Sequence, residues 1–290
     1  MKFCLSLMIL TIFSACSTGG QKVMSPEDRK TEIYYTHGTQ ALIDKDYTSA
    51  LLHLRQAAEL DPKDSKVQNN LGMAYFFKEQ TEKAIEHLKR AIELDNKNSD
   101  ARVNLAGIYY SQKRYQLALQ EYFEVSKDLV YQNQFRTYYN MALIFEKLNK
   151  TAEAREYLAK SIKENENYCP AYFFEGKMNE KIKQYKDALR SFEKATIGQC
   201  FEEPAPHFAQ AKMLEKLNRI VEAKDKYRMI MEKFSRTPYF ALAVNELKIL
   251  DRTKTLNSEE EMLRQVRSEM DQLRERQNSE QPKTYQGTSF

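Results

Sequence analysis

Small and large apolar residues return at a fixed phase along most of the chain. In the segments that begin at Thr31, Ser65, Ser99, Phe135, Cys169 and Pro204, the eighth position holds Gly38, Gly72, Ala106, Ala142, Gly176 and Ala211. The twentieth holds Ala50, Ala84, Ala118, Ala154, Ala188 and Ala223. Larger core residues, among them Tyr34, Leu71, Leu105, Met141 and Phe192, follow the same frame and fill the layers between. The period is 34 residues within a unit, with short insertions between units, and it predicts pairs of helices. Helix axes approach to about 8 Å only where the contact side chains are small, so the two small columns mark where the paired helices touch. Asp61-Pro62 and Asp95-Asn96 fall where one hairpin must end and the next begin.

In the second unit, Leu71-Gly72, Tyr75, Ala84, Leu88 and Ala91 match the signature of the tetratricopeptide repeat, and residues 31–237 resemble that family. The resemblance implies an all-α fold, a right-handed solenoid of about six tetratricopeptide helix hairpins with a C-terminal capping helix. The cap is expected over 238–252, where Phe240, Leu242, Ala243, Leu247 and Leu250 recur at helical spacing. Ser258 with Glu261 reads as a capping box that opens a further helix over 253–277, with Leu263, Val266, Met270 and Leu273 at 3-4-3 spacing. Residues 278–290 read as a disordered tail.

The N-terminus carries a different signal. Residues 1–15 run from Lys2 through an apolar stretch, Phe3 to Phe13, to the small pair Ser14-Ala15, directly before Cys16. The stretch is too short to span a bilayer, and the arrangement reads as a bacterial lipoprotein signal peptide with Cys16 as the lipidated residue. Ser17 rather than Asp follows it, which resembles lipoproteins sorted to the outer membrane, facing the periplasm. Residues 16–30, low in apolar content and containing Pro26, read as a flexible tether with a reach of roughly 20 Å.

Composition narrows the function. Only 8 Gly and 7 Pro in 290 residues suit helices. Removing Lys2 with the signal leaves 44 of the 45 Lys and Arg against 41 acidic residues, without a long run of one sign, which argues against a nucleic-acid footprint. The four histidines, His37, His53, His87 and His207, have no catalytic setting on the repeat frame; His37 and His207 fall where helix A residues pack. No phosphate loop, His-Glu-x-x-His or Gly-x-Ser-x-Gly is present, and Cys and His lack metal-ligand spacing, so the reading is a non-enzyme without metal, cofactor or small-molecule substrate. Cys169 begins helix A of the fifth unit and Cys200 lies where its helix B ends. A hairpin brings both to one edge, and an oxidising compartment favours a disulfide between them.

On the repeat frame, the inner face of the first helices exposes Tyr35, Thr39, Leu42 and Ile43 in the first unit, Asn69, Met73, Phe76 and Phe77 in the second, Val103 and Tyr110 in the third, and Tyr139 in the fourth. This groove is apolar and aromatic in its N-terminal half, becomes charged at Lys177, Glu180 and Lys181, and suits a helix or extended segment of a partner protein. Between the third and fourth units the chain reads Asp128-Leu-Val-Tyr131 and continues to Tyr139-Asn140. This resembles the type IV pilus pilotins, outer-membrane lipoproteins with six tetratricopeptide repeats, although Gln132 stands where that family has Pro. The resemblance implies an adaptor or chaperone that assists localisation and multimerisation of a pilus secretin subunit. The other class open to such a chain is a scaffold lipoprotein for another envelope machine, in outer-membrane protein insertion or peptidoglycan synthesis.

Overall fold

The computed structural model describes residues 24–280, which fall into two compact units, residues 1–124 and 125–290. The expected signal peptide 1–15, the lipidation site Cys16 and residues 281–290 of the expected tail lie outside the described residues.

The first unit contains α1 (Pro26–Ile43), α2 (Tyr47–Leu60), α3 (Ser65–Phe77), α4 (Thr81–Leu94), α5 (Ser99–Ser111) and α6 (Tyr115–Val125), which runs to its boundary. The helices start where side chains replace missing backbone partners. Asp46 accepts from the Ser49 N–H, Asp64 from those of Lys66 and Val67, and Asn98 from that of Ala101. α1 begins inside the segment read as tether, because Ser25 and Asp28 form a reciprocal capping box and Pro26 occupies the first turn. Pro26, taken from sequence as a mark of extended chain, is therefore a helix starter.

The second unit contains α7 (Gln134–Lys147), α8 (Thr151–Glu164), α9 (Cys169–Lys181), α10 (Tyr185–Lys194), a 3-10 turn (Gly198–Glu202), α11 (Pro204–Lys216), α12 (Ile220–Lys233) and α13 (Pro238–Glu280). Tandem helix hairpins thus make up an all-α fold, and no strand occurs among the described residues. Within each hairpin one turn residue takes left-handed backbone: Lys45, Glu79, Lys113, Asn149, Lys183 and Asn218, with φ between 58 and 62°. That conformation lets the following N–H reach back to the helix end, as Asp46 does to the Ala41 carbonyl and Gln80 to that of Tyr75, both at 2.9 Å.

The small columns lie in the core. All six alanines of the twentieth position are fully buried. A Cβ placed on Gly38 would stand 2.5 Å from Leu54 Cγ, and one on Gly72 2.9 Å from Leu88 Cγ, so these two crossings leave no room for a methyl group. His37 departs from the expectation and is exposed. Its repeat position holds buried Leu71, Leu105 and Met141 in later hairpins, but no described helix precedes α1 to cover it.

The sequence reading places a capping helix at 238–252 and a separate helix at 253–277; α13 is a single helix through both and reaches Glu280. The stretch 253–258 has neither Gly nor Pro to stop it. Ser258 and Glu261 lie inside a helix already under way, where the backbone N–H groups are occupied, so they cannot open one. The early part of α13 packs on the last hairpin: Ala243 is fully buried, Lys212 on α11 bridges to Glu246 at 3.2 Å, and Lys224 on α12 bridges to Asp251 at 2.6 Å.

Candidate functional site

The first helices of the three hairpins in the first unit carry ten of the eleven groove residues expected from sequence, with Ile43 exposed at the end of α1. Tyr35, Thr39, Leu42, Met73, Phe76, Val103 and Tyr110 are half-buried. Tyr35 and Leu42 lean on the core around Ala41, Ala50 and Leu54, so each offers only part of its surface to a partner. Phe77, 41 % exposed, is engaged by the neighbouring hairpin, because its ring stacks on Tyr47 of α2 at 4.5 Å and 12°. Phe76 meets Phe77 at 5.7 Å, and Tyr110 meets Tyr115 at 5.8 Å.

Asn69 is buried and is part of an arrangement the sequence reading did not foresee. Asn104 on α5 donates through Nδ2 to Asn69 Oδ1 at 2.9 Å. Asn69 in turn donates to Asn70 Oδ1 at 2.9 Å, and Asn70 donates to Thr39 Oγ1 on α1 at 2.8 Å. A row of amides therefore crosses all three first helices of this unit with one donor direction. A signal was present in the sequence, since Asn70, Asn104 and Asn140 share the sixth position of their units. The row fixes the amide orientations beside the half-buried apolar residues, a combination suited to a peptide, which brings backbone donors and acceptors together with apolar side chains.

Between the two helices of the second hairpin, His87 Nδ1 on α4 lies 2.8 Å from Gln68 Oε1 on α3, and its ring stacks on Tyr75 at 5.1 Å. Burial holds its pKa below the usual histidine value, which favours a neutral ring donating from Nδ1. His53 Nδ1 approaches Gln56 Oε1 at 3.3 Å. Among the described residues no group of three or more His, Cys, Asp or Glu is gathered as metal ligands would be.

Tyr139, the remaining expected residue, belongs to the second unit and lines a cleft of about 1140 Å³ there. The repeat departs from its regular form at this point. α10 has 10 residues where α8 and α12 have 14, and the chain leaves it through Gly198 at φ 65°. The following 3-10 turn is tied down twice. Cys200 is bonded to Cys169 across 6.1 Å between Cα atoms, and the Phe201 carbonyl lies 2.9 Å from His207 Nε2. Phe135, Tyr139 and Tyr168 form one wall, with Tyr168 edge-on to Phe135 at 4.8 Å and to Tyr139 at 5.4 Å. Arg136 lies over Phe135 at 5.6 Å and Lys194 over Tyr172 at 5.0 Å.

Burial raises the pKa of the Tyr168 hydroxyl against the opposing charge of Arg136. It raises that of Tyr172 as well, assisted by Glu166 and Glu175. Both rings stay neutral hydrogen-bonding groups at physiological pH. The charged residues expected further along are present and largely paired: Lys177 with Glu180 at 2.6 Å, and Lys181 with Glu146 at 3.2 Å. In the sequence, the truncated helix before Gly198 is the trace this cleft leaves.

Residues 65–98 and 135–168 each match the family described as the tetratricopeptide repeat. The type IV pilus assembly protein PilF of Pseudomonas aeruginosa is 28% identical over 158 residues, covering 53% of this chain and 63% of that protein. The match thus spans less than two thirds of the relative's length. Among solved structures, Pseudomonas aeruginosa pilF has a TM-score of 0.66 at 22% identity, covering 77% of this chain and all of its own. PilW, described as a widely conserved type IV pilus biogenesis factor, has a TM-score of 0.64 at 16% identity, covering 74% and 98%. The chain therefore contains tetratricopeptide repeats and has their fold.

Proposed function

We propose, with the pilus-assembly relatives as the premise, that this chain is a lipoprotein of the outer membrane, anchored by lipid on Cys16 and facing the periplasm. Its repeats act as an adaptor that holds a segment of a pilus secretin subunit while the ring localises and multimerises. The observation that carries the reading is the amide row from Asn104 through Asn69 and Asn70 to Thr39, flanked by Met73, Phe76 and Tyr110. Fixed amides serve the backbone of an incoming segment and the apolar flanks serve its side chains. The role is binding, without covalent chemistry, and needs no cofactor, metal, nucleic acid or small-molecule substrate.

The test replaces Met73, Phe76 and Tyr110 with Ala in one chain and follows heat-resistant secretin multimers in envelopes, with circular dichroism on the purified variant. Reduced multimers with a folded array are expected. Intact multimers in that background would overturn the reading.

A further inference from the structure

The cleft of the second unit presents hydroxyl groups that the fold itself does not use. Tyr172 is 8 % exposed and Tyr168 is half-buried. Both line the cleft, and neither hydroxyl has a hydrogen-bond partner among the described residues. A partner that displaces water from them must bring acceptors of its own, since an unmatched buried hydroxyl costs about 1–3 kcal/mol. Asn165 adds a further donor, because its Oδ1 already accepts from the Asn167 N–H at 3.0 Å and Nδ2 is its unused end. The ionic residues of the lining, Arg136, Lys194, Glu166 and Glu203, are all exposed and cancel in charge. A strongly charged ligand is therefore not selected, and the interior offers aromatic surface and donors.

A volume of about 1140 Å³ exceeds that of most small-molecule sites, about 300–1,000 Å³, and suits several residues of a chain. Backbone chemistry decides which kind of chain. A helix keeps its carbonyls for its own ladder and would leave the donors unmatched. A β-strand brings an N–H for every carbonyl, and those N–H groups would find few acceptors among the inner side chains. Proline has no N–H, and a polyproline II segment makes no internal hydrogen bonds, so its carbonyls are all free to accept. Such segments dock in grooves lined by aromatic rings. Here Tyr168 stands edge-on to both Phe135 and Tyr139, at 67° and 85°, and rings set so steeply to one another leave furrows that a flat proline ring can enter.

We propose that this cleft is a second peptide site, which binds a proline-rich segment of a partner protein in the polyproline II conformation, with the Tyr168 and Tyr172 hydroxyls and the Asn165 amide donating to its carbonyls. It is separate from the amide row of the first unit and does not depend on the client assigned there.

The test is fluorescence anisotropy of the full chain with a fluorescein-labelled octaproline and, as control, an equally long probe of alternating alanine and glutamine. Saturable binding of octaproline, about tenfold tighter than of the control, is expected. Tyr168→Phe with Tyr172→Phe removes both hydroxyls and keeps the rings, so it should weaken octaproline about tenfold, the loss of two hydrogen bonds, with melting as in the parent. Replacing Met73, Phe76 and Tyr110 with Ala should leave octaproline binding unchanged, whatever it does to secretin multimers. A chain that binds both probes equally or neither, or a double tyrosine variant that binds octaproline as the parent does, overturns the proposal. Loss of octaproline in the Met73, Phe76 and Tyr110 variant also overturns it, because the probe would then lie in the first unit. The comparison of the two probes on the unaltered chain holds whatever the stability of the variants.

Discussion

Gly176 offers a sharp test of the packing argument. A Cβ built on it would lie 2.5, 2.6 and 2.9 Å from three carbons of the Phe192 ring, all inside van der Waals contact. Phe192 is fully buried, and Phe173 stands 5.6 Å away centroid to centroid, so the ring has little room to retreat. Overpacking of this kind costs about 1–3 kcal/mol, whereas Ala is favoured over Gly inside a helix by about 0.5–1 kcal/mol. The steric effect wins, and Gly176→Ala should destabilise the second unit by about 1–2 kcal/mol. The fourth hairpin has buried Ala142 and Leu158 at the two corresponding positions, so a smaller partner makes an alanine acceptable. In a Phe192→Leu background, Gly176→Ala should therefore cost nothing or stabilise, giving a coupling energy of about 1–2 kcal/mol in a double-mutant cycle by urea denaturation. Equal costs in both backgrounds, or a single variant as stable as the parent, would refute the contact as the reason for glycine here.

Glu79 sits at φ 60°, which strains any residue with a Cβ by about 1 kcal/mol, so Glu79→Gly should raise the denaturation midpoint by a net few tenths of that order after the added chain entropy. Cys169→Ser with Cys200→Ser opens a loop of 31 residues in sequence separation and should cost about 3–4 kcal/mol in the chain-entropy treatment, with a matching loss when the parent is reduced. Burial holds the His207 pKa below its ordinary 6.5, against the bond to the Phe201 carbonyl and with Lys226 and Glu202 acting in opposite senses. The unfolded chain then takes up the proton first, so the stability from neutral His207 is present above the unfolded value and lost as pH falls below it. Denaturation from about pH 8 down to about pH 5 should show that loss, and His207→Gln should flatten it. Cys16→Ser should move the protein from the membrane to the soluble envelope fraction, as read by fractionation.

The repeat was legible because its determinants are local and periodic. A small residue at positions 8 and 20 of each unit is enough to specify close helix crossings, and the six buried alanines lie where that period puts them. Cys169 and Cys200 could be paired on paper for the same reason, since a hairpin of known length brings its two ends together. The unbroken course of α13 was not legible, since Ser258 and Glu261 have the composition of a start signal, while a start requires a chain not yet helical, and only the continuous backbone decides that.

By itself, then, the sequence determined the helix pairs, their crossing points and the residue types on each face, since these follow from spacing within one unit. Tertiary structure decided which of those residues meet. The amide row joins Asn104, Asn69, Asn70 and Thr39 across contacts separated by 31 and 35 residues, and the stack of Phe77 on Tyr47 depends on how one hairpin seats against the next. The cleft beside Tyr139 and Tyr168 likewise exists because a short α10 and a tied-down turn leave a space that regular hairpins would fill. Hydrogen bonds and ring contacts depend on distances of a few tenths of an ångström between different helices, and a one-dimensional period carries no such information.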